Sequence, residues 1–214
     1  MGPLPLPLRN RLADLILEAF EPGEARATLL ALAAVSGAAA GPVDAADARR
    51  LLALGWFESD ASGRIRLLGA HRAHGPALAE RSRRAASVAR DWRDRGVGML
   101  RLLDRAAALA RHGLFFEVHE LLEPAWFQAP EPARTALQGL IQVAVAFHHL
   151  ESGNREGARS VLALGVAKVE GAGAALPLET AAWLDGLRAM LSTLAAGGAP
   201  PAIPGWPLPL PPRP

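Results

Sequence analysis

The sequence predicts a mainly α-helical protein made of antiparallel helical hairpins, with one short β-hairpin in its N-terminal third. Three observations predict it. Half of the 214 residues are apolar, enough for a core, while only 5% are aromatic; an Ala- and Leu-rich composition of this kind suits packed helices rather than a sandwich. Apolar residues recur at three- and four-residue spacing through most of the chain, the period of a helix with one buried face. Only Trp56 to Leu68 departs from that period, with two short apolar runs around a turn. The length fits one or two domains.

Taken in order, MGPLPLPL at 1–8 is proline-punctuated and reads as a flexible or extended arm. Leu12, Leu15, Ile16 and Ala19 mark a first helix over 9–20. Residues 24–35 form a second, bounded by Pro22-Gly23 and Gly37. Asp44 is a good N-cap for a third, which runs through Ala48, Leu51 and Leu52 and stops at Gly55. Trp56–Glu58 and Arg64–Leu68 then read as strands, with turn residues at 60–63.

Three helices followed by a hairpin is the order of a winged helix, so residues 9–75 are expected to form a winged-helix-like module. Its nucleic-acid candidates are Arg49 and Arg50 on the third helix and Arg64 and Arg66 on the hairpin, the places where a DNA reader meets phosphates and base edges. Charge argues against it. Residues 1–96 hold 14 basic and 11 acidic side chains, and Asp44, Asp47, Glu58 and Asp60 sit among the arginines. DNA is therefore the weaker expectation, and a packing or protein-interaction role the stronger.

Residues 76–96 read as an Arg-rich connector helix. Arg81, Arg83, Arg84, Arg90, Arg93 and Arg95 alternate with Glu80, Asp91 and Asp94, while Leu78, Ala85, Val88 and Trp92 give a packing face. That is the pattern of a solvated, ion-paired surface. A helical domain is expected over 97–198. Its first helix runs from Met99 to His112, and Gly113 turns it into a second starting at Leu114. The next spans about 132–152, stopped by Gly153. Asn154 caps a further helix to Glu170, 171–176 form a loop, and a last helix spans 178–196. Paired helices of this length are tetratricopeptide-like by analogy, without a clean repeat period. The tail, 199–214, holds 8 of the 18 prolines. It reads as disordered, with polyproline II docking through Trp206 on an aromatic groove of a protein partner as the alternative.

The helices starting at Leu114 and at about Pro132 carry the chemistry. At ~100° per residue, Phe115, Val118, Leu122 and Trp126 share one face. His119 falls within it, Glu123 lies at its margin, and Glu120 is three residues from Glu123. Glu117 lies further round and reads as solvated. On the following helix Gln138, Gln142 and His149 fall within ~40° of one another, while His148 points elsewhere, with Leu137, Ile141 and Ala144. Antiparallel packing would let the two polar stripes meet in one buried Glu/His/Gln cluster.

These residues resemble the domain-of-unknown-function family 309. The motif is carried by Gly113, Phe115, Phe116, Glu117, His119, Glu120, Glu123 and Trp126, then Gln138, Gly139, Leu140, Ile141 and Gln142. His148 or His149 follows, and then Gly153, Asn154, Gly157 and Ala158. The resemblance covers about residues 97–173, under half the chain, and Pro124 departs from it. It implies an all-helical fold of antiparallel hairpins and no reaction. Glu117, His119, Glu120, Glu123, Gln138, Gln142 and His149 are thereby the candidate ligand-binding residues.

Composition narrows the chemistry further. There is no Cys, so disulfides, thiolate metal sites and Cys nucleophiles are excluded. No signal-peptide pattern and no run of about 18 apolar residues is found, so a cytoplasmic protein without a membrane partner is expected. The pI is near 10.2 at a net charge of only +2, because one Lys and no Tyr leave little to titrate above pH 7.

The leading reading is a binding or scaffold protein whose cluster holds a small polar ligand or a divalent metal, the metal on His119, Glu123 and His149. The alternative is a metal-assisted hydrolase using the same cluster; without a metal, Glu120 or Glu123 would be the general base, His119 or His149 its proton partner, and Gln138 and Gln142 would orient a substrate. A satisfied polar network that only fixes helix register competes with both. A homo-oligomer is left open.

Overall fold

The structure is a computed structural model that describes residues 4–35, 43–94, 96–199 and 202–209. Gly37, Arg95 and the tips of both proline-rich ends lie outside the described residues. The chain divides into two compact units, Met1–Trp92 and Arg93–Pro214. It is mainly α, with a single small two-stranded antiparallel sheet among the described residues. No described helix is long and apolar enough to cross a membrane.

The first unit holds α1 (Leu6–Glu18), α2 (Glu24–Val35), α3 (Ala45–Ala53), β1 (Phe57–Ser59), β2 (Ile65–Leu67), a 3-10 turn over Gly69–His74 and α4 (Gly75–Asp91). The proline arm is shorter than expected. α1 opens at Leu6 with Pro7 in its first turn, where a missing N–H costs nothing, and Leu8 is already in the core. Asp44 caps α3 as expected, its Oδ1 accepting from the amides of Ala46 and Asp47 at 2.8 Å. β1 pairs with β2 in the register Phe57–Leu67, Glu58–Arg66, Ser59–Ile65. α4 packs along α2 through the buried line Leu78, Ala79, Ser82, Ala85, Ala86 and Ala89. Trp92 closes this core edge-on to Phe20, with ring centroids 4.9 Å apart.

The second unit holds α5 (Gly98–Arg111), α6 (Phe115–Gln128), α7 (Ala133–Glu151), α8 (Arg155–Ala172), a short 3-10 turn and α9 (Ala181–Ala195). Successive helices pack on one another, α7 most extensively of all. The cause is legible in α7, whose residues Ala136, Leu137, Gly139, Leu140, Ile141, Val143, Ala144, Ala146 and Phe147 are all buried. A helix apolar nearly all round must lie in the middle. Its crossing with α8 is antiparallel and needs glycine on both sides. A Cβ on Gly139 would stand 2.8 Å from Val169 Cγ2, and one on Gly165 would stand 3.0 Å from the Gly139 carbonyl oxygen. Asn154 caps α8 by accepting from the Gly157 amide at 3.0 Å. α9 starts three residues later than expected, because Leu178 is taken up in a bridge to Pro209.

Candidate functional site

Gly113, with φ of +66°, turns the chain out of α5 into α6, a conformation that costs glycine little. The first turn of α6 is enclosed on every side: Phe115, Phe116, Glu117 and Val118 are all buried. Further along, the helix emerges. The side chains of His119, Glu120 and Glu123 are 26%, 31% and 39% exposed. The His119 ring sits between the two carboxylates, with Nδ1 3.0 Å from Glu120 Oε1 and Nε2 3.9 Å from Glu123 Oε1. The first contact is a hydrogen bond. The second is too long for one and becomes an ion pair only when the ring is protonated. Among the described residues neither carboxylate is paired with an arginine or lysine.

Phe116 links this rim to α7. Its ring centroid lies 6.1 Å from that of His119 and 5.9 Å from that of His148, so one phenyl ring neighbours two imidazoles on adjoining helices. Deeper in, Phe115 meets Phe147 edge-on at 5.1 Å. His148 Nδ1 lies 3.9 Å from Glu151 Oε2 and has no hydrogen-bond partner among the described residues. Further along α6, Trp126 and Phe127 have ring centroids 4.6 Å apart, Phe127 is exposed, and the Arg134 guanidinium lies 5.9 Å from the Trp126 centroid.

Four expectations are corrected here. Glu117 is not solvated; it is 0% exposed and has a polar partner. The helical wheel misplaced it because burial in this first turn follows depth along the axis rather than angle around it. His148, not His149, lies against α6. The line Leu137, Ile141, Ala144, His148 is buried up to its last member, and it carries His148 onto Phe116. Gln138, Gln142 and His149 sit ~100° round the helix from that line and are half-buried. His149 Nδ1 instead lies 3.3 Å from Asn154 Nδ2, at the turn into α8.

The single buried cluster is therefore two half-exposed groups, and among the described residues no hydrogen bond joins either glutamine to His119 or Glu123. Gln142 Oε1 is buried without a partner. Finally, the metal set His119, Glu123 and His149 is not assembled: among the described residues no three His, Cys, Asp or Glu side chains are grouped to hold an ion. Pro124 lies inside α6 without ending it; the helix continues to Gln128. Sequence reasoning named Phe116 and His148 only as motif residues, not as candidate site residues, and missed Glu151. The available signal was that His148 ends an otherwise apolar line.

The arginines chosen for nucleic acid are mostly spoken for. Arg50 pairs with Glu24 at 2.9 Å and Asp47 at 2.8 Å; its hydrogen bond to Glu24 raises its pKa above the ordinary guanidinium value. Arg66 and Arg64 reach Asp60 Oδ2 at 2.8 and 3.5 Å. Arg49 donates to the Ala45 carbonyl at 3.2 Å. Asp60 is the hub of the hairpin turn. Its Oδ1 accepts from the Ser62 hydroxyl at 2.6 Å, the Ser62 amide at 2.9 Å and the Arg64 amide at 3.0 Å. The Ser62 hydroxyl first, then the Arg64 amide, holds its carboxyl down at a pKa of about 2.

The second unit is thus a helical-hairpin protein with an open His and carboxylate rim where α6 leaves the core. Residues 103–161 match the family model described as Domain of unknown function (DUF309). That span runs from within α5 to the first turns of α8 and contains the whole of α6 and α7. The resemblance read from the motif residues holds over this narrower stretch. No curated protein and no solved structure matches the chain.

Proposed function

We propose that the second unit is a binding or scaffold module whose α6 rim takes a small polar ligand bearing an amine or guanidinium group. The observation that carries this reading is the His119 ring, 3.0 Å from Glu120 and 3.9 Å from Glu123, with both carboxylates part-exposed and, among the described residues, not paired with an arginine or lysine. Carboxylates are acceptors only, and a charged N–H donor is what they bind best.

No nucleophile belongs to this rim. Thr135 is bonded to Glu131 and Ser152 to the His148 carbonyl. The described residues group no three His, Cys, Asp or Glu side chains, which favours an organic ligand over a metal ion, and the pairing of Arg50, Arg64 and Arg66 with Glu24, Asp47 and Asp60 weighs against DNA.

NMR titration of the full chain with methylguanidine and with 1,4-diaminobutane tests the reading. Saturable shifts of the His119 and Phe116 ring signals are expected, and their loss in a folded Glu120→Gln, Glu123→Gln double variant. An absence of saturable shifts at millimolar ligand would reduce the cluster to a network that sets helix register.

A further inference from the structure

Far along the chain from that rim, residues 202–209 lie along α9 and the segment before it. Trp206 is 6% exposed and Trp183 5%, with ring centroids 5.3 Å apart. Pro204 covers Gly186, where a Cβ would stand 3.1 Å from the proline ring. Leu178 bridges Pro209, and the Glu179 amide donates to the Leu208 carbonyl at 3.3 Å. Arg155 donates to the Gly198 carbonyl and ties down the connection out of α9. The expectation of a disordered tail does not hold for 202–209: its Trp206 is an anchor, and the aromatic it meets is the chain's own. The seat has the parts that proline-rich peptides select, an indole, a glycine that admits a pyrrolidine ring, and a backbone donor for a carbonyl.

The resident segment fills this seat incompletely. Trp183 Nε1 and Trp206 Nε1 are both buried without an acceptor among the described residues. Buried N–H groups are normally satisfied, and proline-rich segments in the polyproline II form carry carbonyls free of internal bonds. We infer that the α9 seat is a docking site for a proline-rich peptide of a partner protein, and that residues 202–209 are its displaceable occupant. A second copy of this chain is the poorer guest, since its own tail would leave the same indole N–H groups unmet. A partner that sets a carbonyl against the Trp183 N–H gains a bond that the resident lacks. The inference is independent of the ligand proposed for α6.

The test uses full-length protein and two fluorescein-labelled synthetic peptides. One copies residues 199–214, and the other has alanine at each proline of that copy. Trp206→Ala should release the resident segment and bind the first peptide saturably. The second peptide should bind about ten-fold weaker or worse. Wild type should bind the first at least about ten-fold more weakly than the variant, because a tethered competitor acts at roughly millimolar effective concentration. A proline decamer titrated into 15N-labelled wild type supplies a readout that needs no variant: the Trp183 and Trp206 indole cross-peaks should move together, Trp183 toward a hydrogen-bonded position. Unmoved indole peaks, equal binding of both peptides, or dimerisation of Trp206→Ala in place of peptide binding would each overturn the inference.

Discussion

Two polar clusters, one in each unit, are centred on side chains of similar chemistry and differ in how far they are closed. At Asp60, one carboxylate accepts from two amides and a hydroxyl and is faced by two arginines. At His119, two carboxylates share one imidazole, and among the described residues no arginine or lysine joins them. The first cluster has spent its hydrogen-bonding capacity within a turn of the chain and holds a hairpin together. The second keeps unused acceptor capacity at a surface. Residue type does not separate these two clusters; the count of unmet acceptors does.

The severest way to break the open cluster is through the scaffold that holds it. Gly139→Leu must push against Val169 and the Gly165 carbonyl. It should cost on the order of 3 kcal/mol in urea unfolding, with ligand binding lost alongside. Glu117→Ala comes next. Its carboxylate is fully buried with a polar partner, so removal should cost about 2 kcal/mol, while Glu120→Ala, three residues on, should be nearly neutral. Equal effects at 117 and 120 would erase the distinction drawn along α6.

The closed cluster should answer to acid. The folded pKa of Asp60 is depressed to about 2, so the stability it contributes is present above its unfolded value near 3.9 and is lost as the pH falls toward 2. Thermal melts of wild type and Asp60→Asn should therefore differ at pH 6 and converge by about pH 2. Melting curves that stay equally far apart at both would show that the carboxylate charge is not what holds the turn. The smallest expected effect on stability is His119→Ala, within about 0.5 kcal/mol, combined with loss of the methylguanidine-induced shifts. A large stability loss with binding intact would make this cluster as structural as the one at Asp60.

How much of this was legible in the sequence follows from the range of the interactions involved. Asp44 and Asn154 cap their helices as read, because a cap is settled within four residues. The hairpin at 57–67 was legible for the same reason. Gly139 stood in the sequence motif, but its meeting with Gly165 was not legible, because the crossing register is set by two helices at once. Glu117 and His148 were misread on one assumption, that a helix has a single buried stripe along its whole length. α6 is sunk among its neighbours for one turn and then surfaces, so the same angle means core at Phe116 and rim at Glu123. Trp206 was recognised as an anchor, yet nothing local could say that Trp183 is what it meets.

The glycine crossing has a further consequence, in the time domain. Where Gly139 and Gly165 meet, main chain lies close against main chain, flanked by the Val143 and Val169 side chains. Amides of α7 and α8 around this point should exchange with deuterium only when the whole unit unfolds, setting the slowest class in the protein. Amides beyond Pro124, near the exposed Phe127 ring, should exchange by local fraying. The proposed ligand rim would then sit on a gradient, with one end of its helix fixed to the slowest part of the unit and the other free to open many times for each global unfolding.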